Sequence, residues 1–295
     1  MSTQELERQQ ENLGQEAKLK EYFRALVKAP ASFLLLDYDG TLAPFRVDRF
    51  QARPWAGVRE LLTQIQQLGR TQMRVITGRP AHEIAPLLGL ERPLEVWGLH
   101  GAERLYADGR RELEEPPAAT QAKLEELREF LRRDSLGGLF EDKANGVVMH
   151  WRGESPQKAK LIEQRTRALF EPIAQMEGLM LLNFEAGLEL RAGRDKGGAV
   201  KAILEEEECI PRSQNRDLGH PQNFRNANCP VAFLGDDLTD ESAFAAVNAI
   251  EGAHVSALVR DRMRTTMADV WLRPPVDVLG FLRKWVDAID AGLDR

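Results

Sequence analysis

Cysteine is scarce in this sequence, and the two cysteines present form no motif. They are Cys209 and Cys229 in a chain of 295 residues, and neither lies in a C-x-x-C or Cys/His pattern. Two cysteines are too few for a disulfide framework, and zinc sites use clustered Cys and His ligands at characteristic spacings. The sequence therefore excludes a disulfide-stapled miniprotein, and both cysteines are expected to be free thiols.

Long apolar runs and an excess of positive charge are also missing. No uncharged stretch approaches the roughly 18 residues that a membrane-spanning helix requires, and residues 1–20 are charged and glutamine-rich. The 46 Asp and Glu outnumber the 40 Lys and Arg, giving a net charge of −6, whereas nucleic-acid-binding proteins normally carry a basic face. These absences predict a cytoplasmic protein with neither a membrane nor a nucleic-acid partner.

The pattern that is present favours a parallel sheet. Residues 32–36 and 231–235 are apolar on both faces and end at carboxylates, as buried parallel strands do. Residues 55–69 have the apolar spacing of a helix and end at Gly69, and residues 73–79 form a further strand pattern. Strand, helix and strand of these lengths make a βαβ unit, so the expected class is α/β with a Rossmann-like parallel sheet.

The middle of the chain has a different pattern. Helical patterns around 119–133 and 156–175 alternate with strand patterns at 139–151 and 179–192. This order is typical of a small α+β layer with an antiparallel sheet, inserted into the parallel one.

The predicted organisation has three parts, which is compatible with roughly 150 residues per domain. They are an amphipathic helical segment at 1–29, a core formed by 30–115 and 192–295, and an inserted α+β cap at 116–191. Short linkers near 110–117 and 190–194 would join core and cap, and the polar stretch 205–230 is expected to be a long surface loop.

Polar residues stand where the predicted strands end and where one helix begins. They are Asp37, Asp39, Thr77, Lys196, Asp236 and Asp237. Ligands of open parallel sheets bind outside the carboxyl ends of the strands, so these side chains should converge. Up to four carboxylates around one point repel one another strongly without a cation, and hard oxygen ligands suit Mg²⁺. The sequence therefore predicts a magnesium site.

The same residues indicate phosphate chemistry. No Ser-His-Asp or Cys-His set is evident, so a carboxylate is the expected nucleophile, as in aspartyl-phosphate chemistry. A neighbouring acid can protonate a leaving alkoxide and then deprotonate water. The Thr77 hydroxyl and the Lys196 ammonium would contact the transferring phosphoryl oxygens.

Four motifs in this order resemble the haloacid dehalogenase superfamily of phosphohydrolases. They are DYDGT (37–41), TGR (77–79), DKG (195–197) and GDDLTD (235–240). The resemblance implies that Asp37 is the nucleophile, Asp39 the general acid and base, and Thr77 and Lys196 the residues on the phosphate. It implies Asp37, the backbone carbonyl of Asp39, and Asp236 as the Mg²⁺ ligands, and a haloacid dehalogenase-like catalytic core.

A longer set of motifs, spanning about residues 31–290, is similar to the trehalose-6-phosphate phosphatase family. The additional motifs are GLHGAE (98–103), FEDK (140–143), HWR (150–152) and LELR (188–191). The resemblance implies that the sugar is held by Glu141, Lys143, Arg152 and Glu189. Thr77, Gly78, Arg79 and Lys196 are also expected to bind the substrate.

The expected function is Mg²⁺-dependent hydrolysis of trehalose 6-phosphate through an aspartyl-phosphate. Phosphatases of glucosylglycerol phosphate or sucrose phosphate are alternatives, because Leu99 and the 205–230 insert depart from the family pattern. A third hypothesis is a non-catalytic sugar-phosphate sensor, although the intact Asp37 and Lys196 argue against it. The resemblance also allows a functional pairing with a glycosyltransferase synthase, whereas the sequence does not set the oligomeric state or the role of His100.

Overall fold

A computed structural model describes residues 3–46, 48–134, 137–143, 145–176, 178–184, 186–206 and 229–293. Most of the predicted loop at 205–230, with Cys209, lies outside these ranges, whereas Cys229 is buried. None of the described helices is long and apolar enough to cross a membrane.

Helices and strands alternate along most of the chain. The helices are α1 Thr3–Lys28, α2 Val58–Leu68, α3 Ile84–Leu88, α4 Ala118–Arg133, α5 Pro156–Ile173, α6 Lys196–Glu206, α7 Glu241–Asn248 and α8 Val276–Ala291. The strands are β1 Ser32–Leu36, β2 Thr71–Ile76, β3 Glu95–Gly98, β4 Glu103–Leu105, β5 Arg111–Leu113, β6 Phe140–Lys143, β7 Gly146–His150, β8 Leu179–Phe184, β9 Gly187–Ala192, β10 Val231–Gly235, β11 His254–Val259 and β12 Val270–Leu272.

The larger sheet has eight strands in the order β12-β11-β10-β1-β2-β3-β4-β5. Neighbours from β12 to β3 are parallel, and β4 and β5 extend the edge in antiparallel pairing. Leu36 pairs with Leu234 in parallel register, so the residues after β1 and β10 leave the sheet at one edge. The predicted α/β class with a Rossmann-like parallel sheet is confirmed.

Both faces of this sheet are covered, which explains why β1 is apolar throughout. Leu34 and Leu36 belong to a buried cluster with α2 and α8, whereas Phe33 and Leu35 belong to a cluster with α6 and α7. Helix α1 joins the first cluster, where the Tyr22 ring lies 5.8 Å from that of Trp285. Apolar burial on two faces fixes the strand and with it the position of the residue that follows Leu36.

The smaller sheet is antiparallel, with strand order β6-β7-β9-β8. Helices α4 and α5 bury apolar residues against it, including Leu127, Leu131 and Phe170, in a cluster separate from those of the larger sheet. The division into a core and a cap at residues 116–191 stays a prediction.

The region expected to contain the first linker differs from the prediction. Within 110–117 lies β5, which pairs with β4 through Glu103 and Leu113, and β9 continues to Ala192 inside the second expected linker. A three-residue strand that contains charged residues is too short to show a detectable alternation of apolar and polar residues. Strand β3 ends at Gly98, because Leu99 and His100 adopt φ values of 49° and 60°.

Candidate active site

Three carboxylates meet at the carboxyl edge of the larger sheet. Asp37 follows β1, Asp236 follows β10, and Asp240 lies in the turn before α7. One oxygen from each of these residues, here called the carboxylate cluster, lies within 4.8 Å of the other two. All three are buried, with exposed fractions between 0% and 6%. The parallel register of β1 and β10 is what brings their carboxyl ends together.

Lys196 is the cation of this cluster. Its Nζ donates to Asp37 Oδ1 at 2.7 Å and to Asp240 Oδ1 at 2.6 Å. Burial alone would lower the pKa of Lys196, but Asp240 and Asp37 outweigh that effect and raise it. Lys196 is therefore a fixed positive charge beside Asp37.

Asp240 also shapes the turn after β10. Its Oδ2 accepts hydrogen bonds from the backbone N–H groups of Asp236, at 3.0 Å, and Asp237, at 2.9 Å. Gly235 leaves room for this carboxylate, because a Cβ at that position would overlap the Asp240 side chain. The turn therefore holds Asp236 and Asp240 in a fixed relation.

The cluster carries more negative charge than Lys196 compensates. Burial, together with Asp37 and Asp240, raises the pKa of Asp236 to about 9. Burial also raises the pKa of Asp37 to about 7, against the opposing effect of Lys196. Crowded carboxylate oxygens with raised pKa values are a donor set that fits a hard divalent cation. The described residues can therefore bind a metal ion at this position.

The side chain of Asp39 lies outside this cluster because Arg79 holds it. Arg79 Nε donates to Asp39 Oδ2 at 2.6 Å, and a second guanidinium nitrogen donates to Oδ1. The same guanidinium donates to the Arg49 carbonyl at 2.6 Å and lies 5.5 Å from the centre of the Tyr38 ring. This bidentate pair is a strong, directional interaction that fixes the Asp39 carboxylate.

The TGR segment continues from β2, the neighbour of β1. Thr77 is buried, and its Oγ1 accepts a hydrogen bond from the Arg79 N–H at 3.2 Å. The Thr77 carbonyl accepts from the His100 N–H at 2.7 Å, and Gly78 lies against the His100 ring. Burial lowers the pKa of His100 well below its ordinary value. Leu36 pairs with Val75, which places Thr77 at the same sheet edge as Asp37.

A cleft of about 770 Å³ opens beside the carboxylate cluster. Its lining includes Gly40, Phe45, Trp55, Asp236 and Arg260 from the larger sheet's connections, and Arg152 and Phe184 from the smaller sheet's. The structure thus brings Arg152, one of the four predicted sugar residues, to the same cleft as Asp236.

The other three predicted sugar residues form pairs on the smaller sheet and do not line this cleft. Lys143 Nζ lies 3.4 Å from Glu189 Oε2, while Glu189 Oε1 is buried without a hydrogen-bond partner among the described residues. Glu141 Oε2 lies 2.7 Å from His150 Nε2.

The sequence prediction missed several residues of the site. Asp240 was not among the predicted site residues, although its place in GDDLTD, four residues after Asp236, was a usable signal. Phe45, Trp55 and Arg260 come from connections with no periodic pattern, so only the fold shows that they share a cleft with Asp236.

Comparisons with known proteins agree on one family. A family model described as trehalose-phosphatase matches residues 35–269. The trehalose-phosphate phosphatase of Mycolicibacterium paratuberculosis is 30% identical over 274 residues, which cover 89% of this chain and 63% of the relative. The trehalose-6-phosphate phosphatase of Escherichia coli is 28% identical over 222 residues, 74% of each chain. The chain thus spans about three fifths of the length of the mycobacterial relative.

Two further similarities concern domain combination and fold. A bifunctional trehalose-6-phosphate synthase/phosphatase of Thermoproteus tenax is 30% identical over 230 residues, which cover 77% of this chain and 28% of that protein. The structure of Aspergillus fumigatus trehalose-6-phosphate phosphatase superposes with a TM-score of 0.68 at 23% identity, covering 92% of this chain and 97% of that one. At that identity the superposition establishes the fold.

Proposed function

This chain belongs to the trehalose-phosphatase family, and on that premise we propose that it hydrolyses trehalose 6-phosphate to trehalose and phosphate. The observation that carries the proposal is the buried Lys196, bonded to both Asp37 and Asp240 beside Asp236. A fixed cation next to a carboxylate at the carboxyl edge of a parallel sheet is an arrangement suited to phosphoryl transfer. The proposed class is therefore a phosphoric monoester hydrolase.

In the first step Asp37 attacks phosphorus. Its Oδ1 is occupied by Lys196, whereas Oδ2 has, among the described residues, only the long contact of 3.3 Å with Thr41 Oγ1, so Oδ2 is the nucleophilic oxygen. The new bond joins Asp37 Oδ2 to phosphorus, and the bond from phosphorus to the sugar oxygen breaks. Lys196 offsets the charge of the phosphoryl group, and the Thr77 hydroxyl donates to one of its oxygens.

Asp39 acts as the general acid in the first step and as the general base in the second. As an acid it protonates the departing sugar alkoxide, and as a base it then takes a proton from the water that attacks the aspartyl-phosphate and frees Asp37. Its two hydrogen bonds to Arg79 hold the side chain outside the carboxylate cluster. We expect the substrate phosphate to compete for the Arg79 guanidinium, since phosphate oxygens accept the same bidentate bonds, and so to free the Asp39 side chain to reach the leaving oxygen.

Magnesium is the proposed metal. Asp37, Asp236 and the backbone carbonyl of Asp39 would hold it, with Asp240 beside them. When bound, Mg²⁺ neutralises phosphoryl oxygens and lowers the cost of bringing an anionic substrate to a carboxylate nucleophile.

The proposed sugar site lies between core and cap. Glu141, Lys143, Arg152 and Glu189 would bind hydroxyl groups through charge-assisted hydrogen bonds, and closure of the cap over the core would exclude water. The bifunctional relative supports a functional pairing with a synthase. That pairing and a cytoplasmic location stay predictions.

The test is phosphate release from trehalose 6-phosphate, glucosylglycerol phosphate and sucrose phosphate, with and without Mg²⁺. We expect Mg²⁺-dependent release that prefers trehalose 6-phosphate and is abolished in Asp37→Asn. Asp287→Asn, an exposed carboxylate on α8, is the matched control and should keep full activity. Preference for another ester would keep the chemistry and discard the substrate, and absence of release from every ester would favour the sensor hypothesis.

A further inference from the structure

The cleft beside the carboxylate cluster is larger than a phosphate group needs. Its volume of about 770 Å³ lies within the range of roughly 300–1,000 Å³ that is usual for whole small-molecule ligands. Asp236 and Gly40 form the end at which the reacting phosphate would sit. The rest of the cleft is therefore available to the leaving group, which is the part of the substrate that remains when the phosphate is removed.

Aromatic side chains form two sides of this remaining volume. Phe45 follows the DYDGT motif and is 69% exposed, and Phe184 faces the same cleft from β8 of the smaller sheet. Trp55 lies on the same side as Phe45, and its indole N–H is buried without a hydrogen-bond partner among the described residues. Aromatic side chains that line a cleft are typical of a site for an amphipathic ligand.

Arginines line the same volume. Arg260 follows β11, and its Nη1 donates to the Asp236 carbonyl at 3.3 Å, which holds the side chain next to the cluster. Its own carbonyl accepts from the Trp271 indole N–H at 2.7 Å. Arg262 lines the cleft two residues later, and Arg152 does so from the smaller sheet. Each guanidinium offers several N–H donors in a fixed plane.

We infer that Phe45, Trp55, Arg260 and Arg262 form a subsite on the core for the hydroxylated leaving group. In a disaccharide phosphate the leaving group is the whole disaccharide, and the subsite would contact its second ring, the one that does not carry the phosphate. A pyranose ring packs its C–H face against an aromatic ring while its hydroxyl oxygens accept hydrogen bonds at the edge. The cleft supplies both features next to Asp236. The inference rests on the proposed function and adds a core contribution to the sugar residues expected from the cap.

The test compares two substrates that differ only in this leaving group, trehalose 6-phosphate and glucose 6-phosphate. Steady-state kinetics are measured for the full chain and for Phe45→Ala and Arg262→Ala, because both side chains are exposed and their removal should leave folding intact. We expect kcat/KM for trehalose 6-phosphate to fall about tenfold or more in each variant, mainly through KM. The preference for the disaccharide ester over glucose 6-phosphate should fall with it.

Phe130→Ala on α4 and Arg283→Ala on α8 are the matched controls, since each removes an exposed side chain of the same type outside the cleft. A second readout is thermal unfolding with trehalose, which has no phosphate. Trehalose should raise the Tm of the parent chain more than that of Phe45→Ala or Arg262→Ala.

Three outcomes would overturn the inference. An unchanged substrate preference in both cleft variants would show that these residues do not contact the leaving group. An equal loss on both esters would place the arginine on the phosphate instead. If the parent chain releases no phosphate from trehalose 6-phosphate, the proposed function fails, and this inference fails with it.

Discussion

Lys196 and Asp240 form a fully buried ion pair, with Nζ and Oδ1 2.6 Å apart, at the centre of the site. The second oxygen of Asp240 accepts the backbone N–H groups of Asp236 and Asp237. One carboxylate therefore fixes both the cation that serves Asp37 and the turn that carries Asp236. Asp240 acts through its neighbours, as a positioning residue.

This relationship predicts the effect of Asp240→Asn. The amide keeps an acceptor for the turn but removes one of the two counter-charges of Lys196, and breaking a buried pair typically costs about 3 kcal/mol or more. We expect kcat to fall at least tenfold, with a smaller change in KM, and the urea midpoint to fall. Asp287→Asn is the control for both measurements. Parent-like kcat in Asp240→Asn would contradict a positioning role.

Turnover is predicted to depend on the planar, bidentate geometry of the Arg79 guanidinium as well as on its charge. Arg79→Lys keeps the charge but loses the bidentate bond to Asp39, and Arg79→Ala loses both. We expect kcat/KM to fall about tenfold in the lysine variant and further in the alanine variant. Arg283→Ala is the control. Equal activity in all variants would show that the Arg79 pair plays no part in turnover.

Metal-free stability should depend on pH through Asp236. Its pKa in the folded protein is about 9, above the usual unfolded value near 3.8, so the native state binds the extra proton. The unfolding free energy of the metal-free protein should therefore fall as the pH rises toward 9, and Asp236→Asn should remove much of this fall. Urea unfolding in EDTA between pH 6 and pH 9 measures the effect.

The same variant tests the metal site directly. Mg²⁺ should raise the Tm of the parent chain at pH 8, because it binds the native carboxylates and not the unfolded chain. The shift should be lost in Asp236→Asn and kept in Asp287→Asn. A parent-like Mg²⁺ shift in Asp236→Asn would place the metal elsewhere.

His100 should make the unfolding free energy depend on pH in the opposite direction. Burial holds its pKa well below the ordinary value of 6.5, so the unfolded chain takes up a proton before the native protein does. The contribution of His100 to stability should fall as the pH drops below about 6.5, with a slope of up to about 1.4 kcal/mol per pH unit, and it is measured as the difference between the parent chain and a variant without this histidine. His100→Asn, which tolerates the positive φ at this position, should flatten that slope. His82→Asn replaces an exposed histidine and should keep it.

The sequence was sufficient to predict the part of the site that is formed by residues at the carboxyl ends of strands. The run at Ser32–Leu36 is apolar on both faces, so a buried parallel strand followed by Asp37 was predictable, and the edge rule then grouped Asp37 with Lys196 and Asp236. The bond between Arg79 and Asp39 was not predictable, because it depends on the rotamers of side chains 40 residues apart. The strand pair β4 and β5 was missed for a different reason, since its charged residues show no apolar alternation.

Gly235 provides a final prediction, because its role is steric. Its φ is not in the left-handed region, so alanine is tolerated by the backbone, but a Cβ would overlap the side chain of Asp240. Gly235→Ala should therefore displace the carboxylate that holds Lys196 and the turn, lowering kcat at least tenfold and lowering the Tm. Gly14→Ala is the matched control: among the described residues, no atom beyond its chain neighbours and the helix's own backbone lies within 4 Å of its added Cβ. Alanine in helix α1 should be neutral or stabilising by about 0.5–1 kcal/mol. If Gly235→Ala kept parent-like kcat and Tm, the close packing between Gly235 and Asp240 would not be needed to position the cluster.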